Sequence, residues 1–230
     1  MFEAVLDDKR ISLLQALIAL DALDGFCLAG GTALSLQLGL RVSVDFDFFT
    51  QRRFNPAALC ETLRERFPST RAVVLEPDTC DLFIEDVRVS FFRYPYKQVE
   101  PVVQGDGRLQ GLRMASPSDI AAMKLSAIGG RGSRKDFYDL YQIYHCVPGF
   151  NGERLISVAK EKFGPGTDLT YMLMGLAYFD DAEQEELPRT FVHADWEDIK
   201  RFFVLEQSRL FGMEEALARR AIERASEENA

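Results

Sequence analysis

The stretch LAGGTALSLQLGLRVSVDFDFFT, Leu28 to Thr50, decides the architecture of the first half of the chain. Phe26 to Ala29 is a short apolar run ended by Gly30-Gly31, which reads as a buried strand. Thr32 to Leu40 has helical spacing. Val42 to Phe49 alternates and is rich in β-formers, so it reads as a second strand. Asp45 follows Gly31 by 14 positions, an interval filled by one helix and a return strand. That geometry brings the glycine turn and both Asp45 and Asp47 to the same end of neighbouring strands. Residues two apart on a strand share a face, so the two carboxylates project side by side, with Val44, Phe46 and Phe48 turned into the core.

Adjacent carboxylates repel unless a cation sits between them. A hard divalent ion such as Mg²⁺, drawing its other ligands from substrate phosphates and water, meets that need. A strand that ends in glycines and enters a helix lets backbone amides approach an anion, and the helix N-terminus adds partial positive charge. The residues alone therefore point to a divalent-metal and phosphate site.

Outward from this stretch, Arg10 to Leu23 reads as an amphipathic helix and Pro56 to Phe67 as a helix capped by Asn55. Ala72 to Leu75, Cys80 to Ile84 and Val87 to Tyr94 read as strands, with Glu85-Asp86 turning between the last two. From Ser116 the pattern becomes helical. One helix opens at Pro117 and runs through Ile128, Gly129-Gly130-Arg131-Gly132 breaks it, and a second spans about Ser133 to Tyr144. Gly152 to Phe163, Asp168 to Phe179 and Trp196 to Glu228 also read as helices. The expectation is an α/β (α+β) chain: a mixed-sheet domain over 1–115, then a helical domain over 116–230 that completes the active-site cleft.

The chain has 230 residues, 47% hydrophobic and 27% charged, with a formal net charge of −9. A protein that coats DNA or RNA would more often be basic, so action on RNA would need a local basic patch. Cys27, Cys60, Cys80 and Cys146 stand far apart and histidines number two, which excludes a zinc ribbon and offers no disulfide framework. No apolar run is long enough to span a membrane, and the N-terminus does not read as a secretory signal. These features point to the cytoplasm.

A second constellation lies in SDIAAMKLSAIGGRGSRKDFYDL, Ser118 to Leu140. Lys124 sits in an otherwise apolar helix, either snorkelling to solvent or aimed into a cleft. Arg131, Arg134, Lys135, Asp136 and Asp139 have the spacing of a surface cluster of i,i+3 and i,i+4 pairs.

Both stretches resemble the nucleotidyltransferase-fold toxins of the AbiEii/AbiGii type, found in abortive-infection and toxin–antitoxin systems. The Gly-Gly-Thr turn, the spacing helix and the Ser-x-Asp-x-Asp-Phe-Phe strand carry the first match. Lys124-Leu125-Ser126-Ala127, then Arg131 and Lys135-Asp136-Phe137-Tyr138-Asp139-Leu140, carry the second. The resemblance implies a Mg²⁺-dependent nucleotidyltransferase fold in which Asp45 and Asp47 bind the metal. It implies nucleotide contacts from Gly30, Gly31, Thr32, Ser43, Lys124 and Arg131. Asp136 would be a further essential acid, serving either as general base or to orient Lys124, while Asp139 reads as structural.

The implied reaction moves an NMP from an NTP to a hydroxyl on a tRNA 3′ end or a protein, with a cognate antitoxin as partner. One departure stands out. Many enzymes of this fold carry a third metal-binding carboxylate on a later strand, and the strand Val87 to Phe92 offers Ser90 there. A non-catalytic nucleotide-binding module and a γ-phosphate phosphotransferase are the alternatives.

Overall fold

The computed structural model describes residues 1–186 and 189–227, with side chains through residue 216. It forms two compact units, Met1–Ile120 with Pro188–Val192, and Ala121–Leu187 with His193–Ala230. Along the chain come α1 (Asp8–Ile18), β1 (Cys27–Ala29), α2 (Gly30–Leu38), β2 (Phe46–Thr50), α3 (Pro56–Arg66), β3 (Arg71–Glu76), β4 (Thr79–Ile84) and β5 (Val87–Arg93). Then follow β6 (Val103–Gln104), β7 (Arg113–Met114), α4 (Pro117–Arg131), α5 (Arg134–Cys146), α6 (Gly152–Phe163), α7 (Thr170–Gly175), α8 (Asp180–Glu183) and α9 (Trp196–Glu227). Glu228, the expected end of the last helix, lies outside the described residues.

The first unit is built on a mixed seven-stranded sheet in the order β3-β4-β5-β2-β1-β7-β6. β1 and β2 are antiparallel, whereas β2 and β5 run parallel. Strand β2 alternates strictly: Phe46, Phe48 and Thr50 are buried, and Asp47 and Phe49 are half-buried on the other face. Phe48 stacks on Phe91 of β5 at 5.3 Å between ring centroids. Leu82, Ile84, Val87 and Val89 continue that buried layer. Glu85 and Asp86 turn the β4–β5 hairpin with positive φ at both positions, the twist that two-residue hairpins favour. All four cysteines are free thiols.

The return strand is shorter than the alternation suggests. Regular pairing begins only at Phe46, and Val44 is exposed rather than turned into the core. The residues before it are diverted to another partner. Arg41 bridges Thr190, and the Val42 amide donates to the Arg189 carbonyl at 2.8 Å.

The second unit is helical. α9 packs against α5, α6 and α7, and Phe137, Phe179, Trp196 and Phe203 form an aromatic cluster at its heart. The expected break over Gly129 to Gly132 falls at its end only: α4 runs through Gly129 and Gly130 to Arg131, and α5 starts at Arg134. Packing, not backbone freedom, explains one of them. A Cβ on Gly129 would lie 2.6 Å from the Met172 Cα, and one on Gly175 would lie 2.8 Å from the Gly129 Cα. Two helix backbones touch there, which only glycine allows. A Cβ on Gly130, by contrast, would meet nothing within 4 Å.

This contrast gives opposite signs to two neighbouring substitutions. Helix propensity favours alanine over glycine by about 1 kcal/mol, so Gly130→Ala should stabilise the protein by about that amount. Gly129→Ala should destabilise it, because crowding of about 1–3 kcal/mol exceeds the propensity gain. Denaturant unfolding of the two variants against the parent protein reads both signs.

Candidate active site

The glycine turn and the second carboxylate meet directly. The β1–β2 register sets Ala29 opposite Asp47, and α2 begins at Gly30 with no intervening loop. Gly30 has a φ of +65°, and a Cβ there would stand 3.2 Å from the Asp47 Oδ2. Glycine is thus required twice, for the left-handed backbone and for the carboxylate beside it. Gly31 has a different neighbour: a Cβ there would fall 2.1 Å from the Arg41 guanidinium, which would have to shift. Arg41 is buried and donates from Nη1 to the Val42 carbonyl at 3.2 Å.

Asp45 precedes β2 and is held through its backbone. The buried Thr32 hydroxyl contacts the Asp45 carbonyl and, at 2.7 Å, the Ser43 hydroxyl. A carbonyl only accepts, so the single Thr32 proton goes to Asp45 and Ser43 donates to Thr32. Thr32 and Ser43 therefore fasten the segment that carries Asp45 to the first turn of α2. Both aspartates are half-buried. Among the described residues no three His, Cys, Asp or Glu side chains converge as a metal cluster. The donor set is the carboxylate pair, which fits an ion that takes its remaining ligands from water and substrate oxygens.

The neighbouring strands extend this face. Ser90 on β5 pairs with Asp47 on β2 and with Asp81 on β4, so the three lie in one row across the sheet. Asp81 is buried and accepts from the Ser90 hydroxyl at 3.0 Å and from Arg88 Nε and Nη2 at 3.1 and 2.7 Å. Burial pushes its carboxyl up, but the Arg88 and Ser90 hydrogen bonds outweigh burial and hold it below the ordinary range. Arg88 is raised by that bond, with further help from the charges of Asp45 and Asp47. Farther along the same face, Phe49 lies 5.4 Å from Phe92 and 5.6 Å from Tyr94 between ring centroids.

The second unit closes Lys124 between two acids. Its Nζ lies 2.6 Å from Asp136 Oδ1 and 3.0 Å from Asp139 Oδ2, and all three residues are buried. Asp139 thus faces the lysine. The other Asp136 oxygen accepts from the Ser133 hydroxyl at 2.6 Å and the Ser133 amide at 3.2 Å, which forms a capping box on α5. Burial acts to raise the Asp136 pKa, but Lys124 and Ser133 reverse the shift and leave it lowered. An ionised, fully hydrogen-bonded carboxylate is a poor proton acceptor. Its geometry suits orienting Lys124. Arg131 is exposed at the end of α4.

Sequence patterns passed over Arg41, Asp81 and Arg88. The one available signal was a single charge in each of two largely apolar stretches, Asp81 within Cys80–Ile84 and Arg88 before Val89. The depressed pKa of Asp136 fixes a sign. Its contribution is fully present above the ordinary value of 3.8 and is lost as pH falls through the lower folded value. Asp136→Asn should cost about 1.5–3 kcal/mol at pH 7, as for a hydrogen bond to a charged group. The deficit should shrink at pH 3, read by denaturant unfolding at the two pH values.

Other proteins resemble this chain in sequence and in fold. Residues 12–224 match the family described as "Nucleotidyl transferase AbiEii toxin, Type IV TA system". An uncharacterized protein of Aquifex aeolicus (strain VF5) is 33% identical over 201 residues, covering 86% of this chain and 94% of the relative. Two solved structures share the fold. The nucleotidyltransferase toxin MenT4 of Mycobacterium tuberculosis has a TM-score of 0.55 at 15% identity, covering 86% of this chain and 84% of that one. JHP933 of Helicobacter pylori has a TM-score of 0.52 at 19% identity, covering 94% and 97%. The chain belongs to the AbiEii family of nucleotidyltransferase toxins from type IV toxin–antitoxin systems.

Proposed function

We propose that this protein transfers an NMP from an NTP to a hydroxyl acceptor, using Asp45 and Asp47 as ligands of a Mg²⁺ ion. The observation that carries the reading is the contact between the Gly30 turn and Asp47, with Asp45 fastened by Thr32 to the same helix end. The ion would neutralise triphosphate charge and fix its orientation. Gly30, Gly31 and the first amides of α2 would receive the phosphates, and Lys124, aimed by Asp136 and Asp139, would supply a further cation. Arg131 would add a phosphate contact from the end of α4.

In the reaction the acceptor oxygen attacks the α-phosphorus, the α–β anhydride bond breaks, pyrophosphate leaves and the hydroxyl proton passes to solvent. Transfer of this kind depends on positioning and charge neutralisation rather than covalent catalysis by the protein. Candidate acceptors are the 3′ end of a tRNA and a Ser, Thr or Tyr hydroxyl on a protein. The toxin family supports growth inhibition by the active protein and a cognate antitoxin as partner. A cytoplasmic site of action fits these acceptors, and no described helix is long and apolar enough to cross a membrane.

The test is incubation with Mg²⁺, each α-³²P-labelled NTP, total tRNA and a cell lysate. Label should enter RNA or protein, and Asp45→Ala or Asp47→Ala should reduce it roughly 100-fold or more with little change in unfolding midpoint. Transfer that persists in both variants, or nucleoside diphosphate as the product in place of pyrophosphate, would overturn the reading. Nucleotide binding with no label transferred would make the protein a binding module.

A further inference from the structure

We propose that Arg88, aimed by Asp81, is a phosphate-binding residue of the nucleotide site on the sheet face beside Asp45 and Asp47. The inference rests on the nucleotidyl-transfer reading and adds to it a cation that neither motif contains.

Placement comes from the register. β2 and β5 pair Phe46 with Val89 and Asp47 with Ser90. Arg88 precedes Val89 in β5, and two-residue periodicity keeps it on the face of Ser90 and Asp47. Neighbouring strands lie about 4.8 Å apart, so a phosphate held at the carboxylate pair through an ion is within reach of a guanidinium one strand away. Its positive charge also senses both aspartates.

Orientation comes from Asp81. Two prongs of the guanidinium fork, Nε and Nη2, are taken by its carboxylate, which Ser90 holds from the other side. Such two-pronged pairing fixes a plane as well as a distance. The Arg88 side chain is 52% exposed while that of Asp81 is 5% exposed, so the pair is anchored inward and open outward. The outward edge of the guanidinium, which carries Nη1, is the one turned away from Asp81 and can meet an oxygen anion. The same bonds commit Asp81, the nearest acid in the row beyond Ser90, to arginine, so it is not a spare metal ligand.

A structural clip would show the same pair, so the test must separate the two roles. The probe is inorganic tripolyphosphate with Mn²⁺, which needs neither the correct base nor the acceptor, with Mn²⁺ alone titrated in parallel. The parent protein should bind both, and Asp45→Ala should lose both. Arg88→Ala should keep Mn²⁺ affinity within about twofold and lose tenfold or more for tripolyphosphate, as expected for a charge-assisted contact. Arg88→Ala also strands a buried carboxylate, so Arg88→Met with Asp81→Asn removes both charges together and should lose tripolyphosphate equally.

If the double variant binds tripolyphosphate like the parent protein, the pair is a clip and the proposal falls. Unchanged binding by both Arg88 variants, with Asp45→Ala still defective, likewise removes Arg88 and leaves the nucleotidyl-transfer reading standing. Failure of the parent protein to bind, or binding that survives Asp45→Ala, removes both.

Discussion

Two carboxylates on one face, two residues apart, are the constraint around which the first unit is arranged. Like charges held close together repel, and more strongly where solvent is partly excluded. Asp45 and Asp47 are half-buried, so the fold must hold them together against that repulsion. It does so with backbone and polar contacts rather than packing. Gly30 gives up a side chain where Asp47 needs room, and Thr32 ties Asp45 to the helix through its carbonyl. Neither contact uses up a carboxylate oxygen. A cation that bridges the two acids would offset their mutual repulsion.

The helical unit solves the opposite problem. One ammonium lies between Asp136 and Asp139, and Ser133 takes the remaining oxygen of Asp136. A buried charge left unpaired is costly and a fully bonded network is rigid, so this assembly fixes Lys124 in place. Saturation also limits it. A triphosphate that contacts Lys124 must compete with two carboxylates for the ammonium, so its hold on the lysine is weaker than the lysine's charge alone suggests. The two assemblies thus differ in kind: the first gathers its acids at a glycine turn, and the second holds a cation between two acids.

What could be read from the sequence followed the range of the interaction behind it. The Phe46–Phe48 alternation, the Glu85-Asp86 turn and the helices at Pro56 and Gly152 are local, and they stand where the periodicity puts them. Gly129-Gly130 read as a break because glycine is a poor helix former. The helix survives because Gly129 meets Met172 on another helix, a contact no local pattern announces. Val44 was misplaced for a similar reason, since Arg41 and Val42 are drawn to a segment some 150 residues away. The Asp45–Asp47 pair and Lys124–Asp136 were visible as motifs. Asp81 and Arg88 were not, because only the parallel register of β2 and β5 carries Arg88 to the carboxylates.

The net charge of −9 bears on how the proposed phosphate recognition would be built. An acidic chain gains little from a diffuse field, so attraction must come from a few cations at contact distance. Arg88 and Lys124 are each secured by aspartates, and these aspartates themselves add to the negative total. Securing a long side chain before the ligand arrives removes the entropy loss that free arginine and lysine side chains would suffer on binding. Acidic composition and phosphate chemistry are therefore compatible in this fold, because some of the acids that make the chain negative also hold its cations.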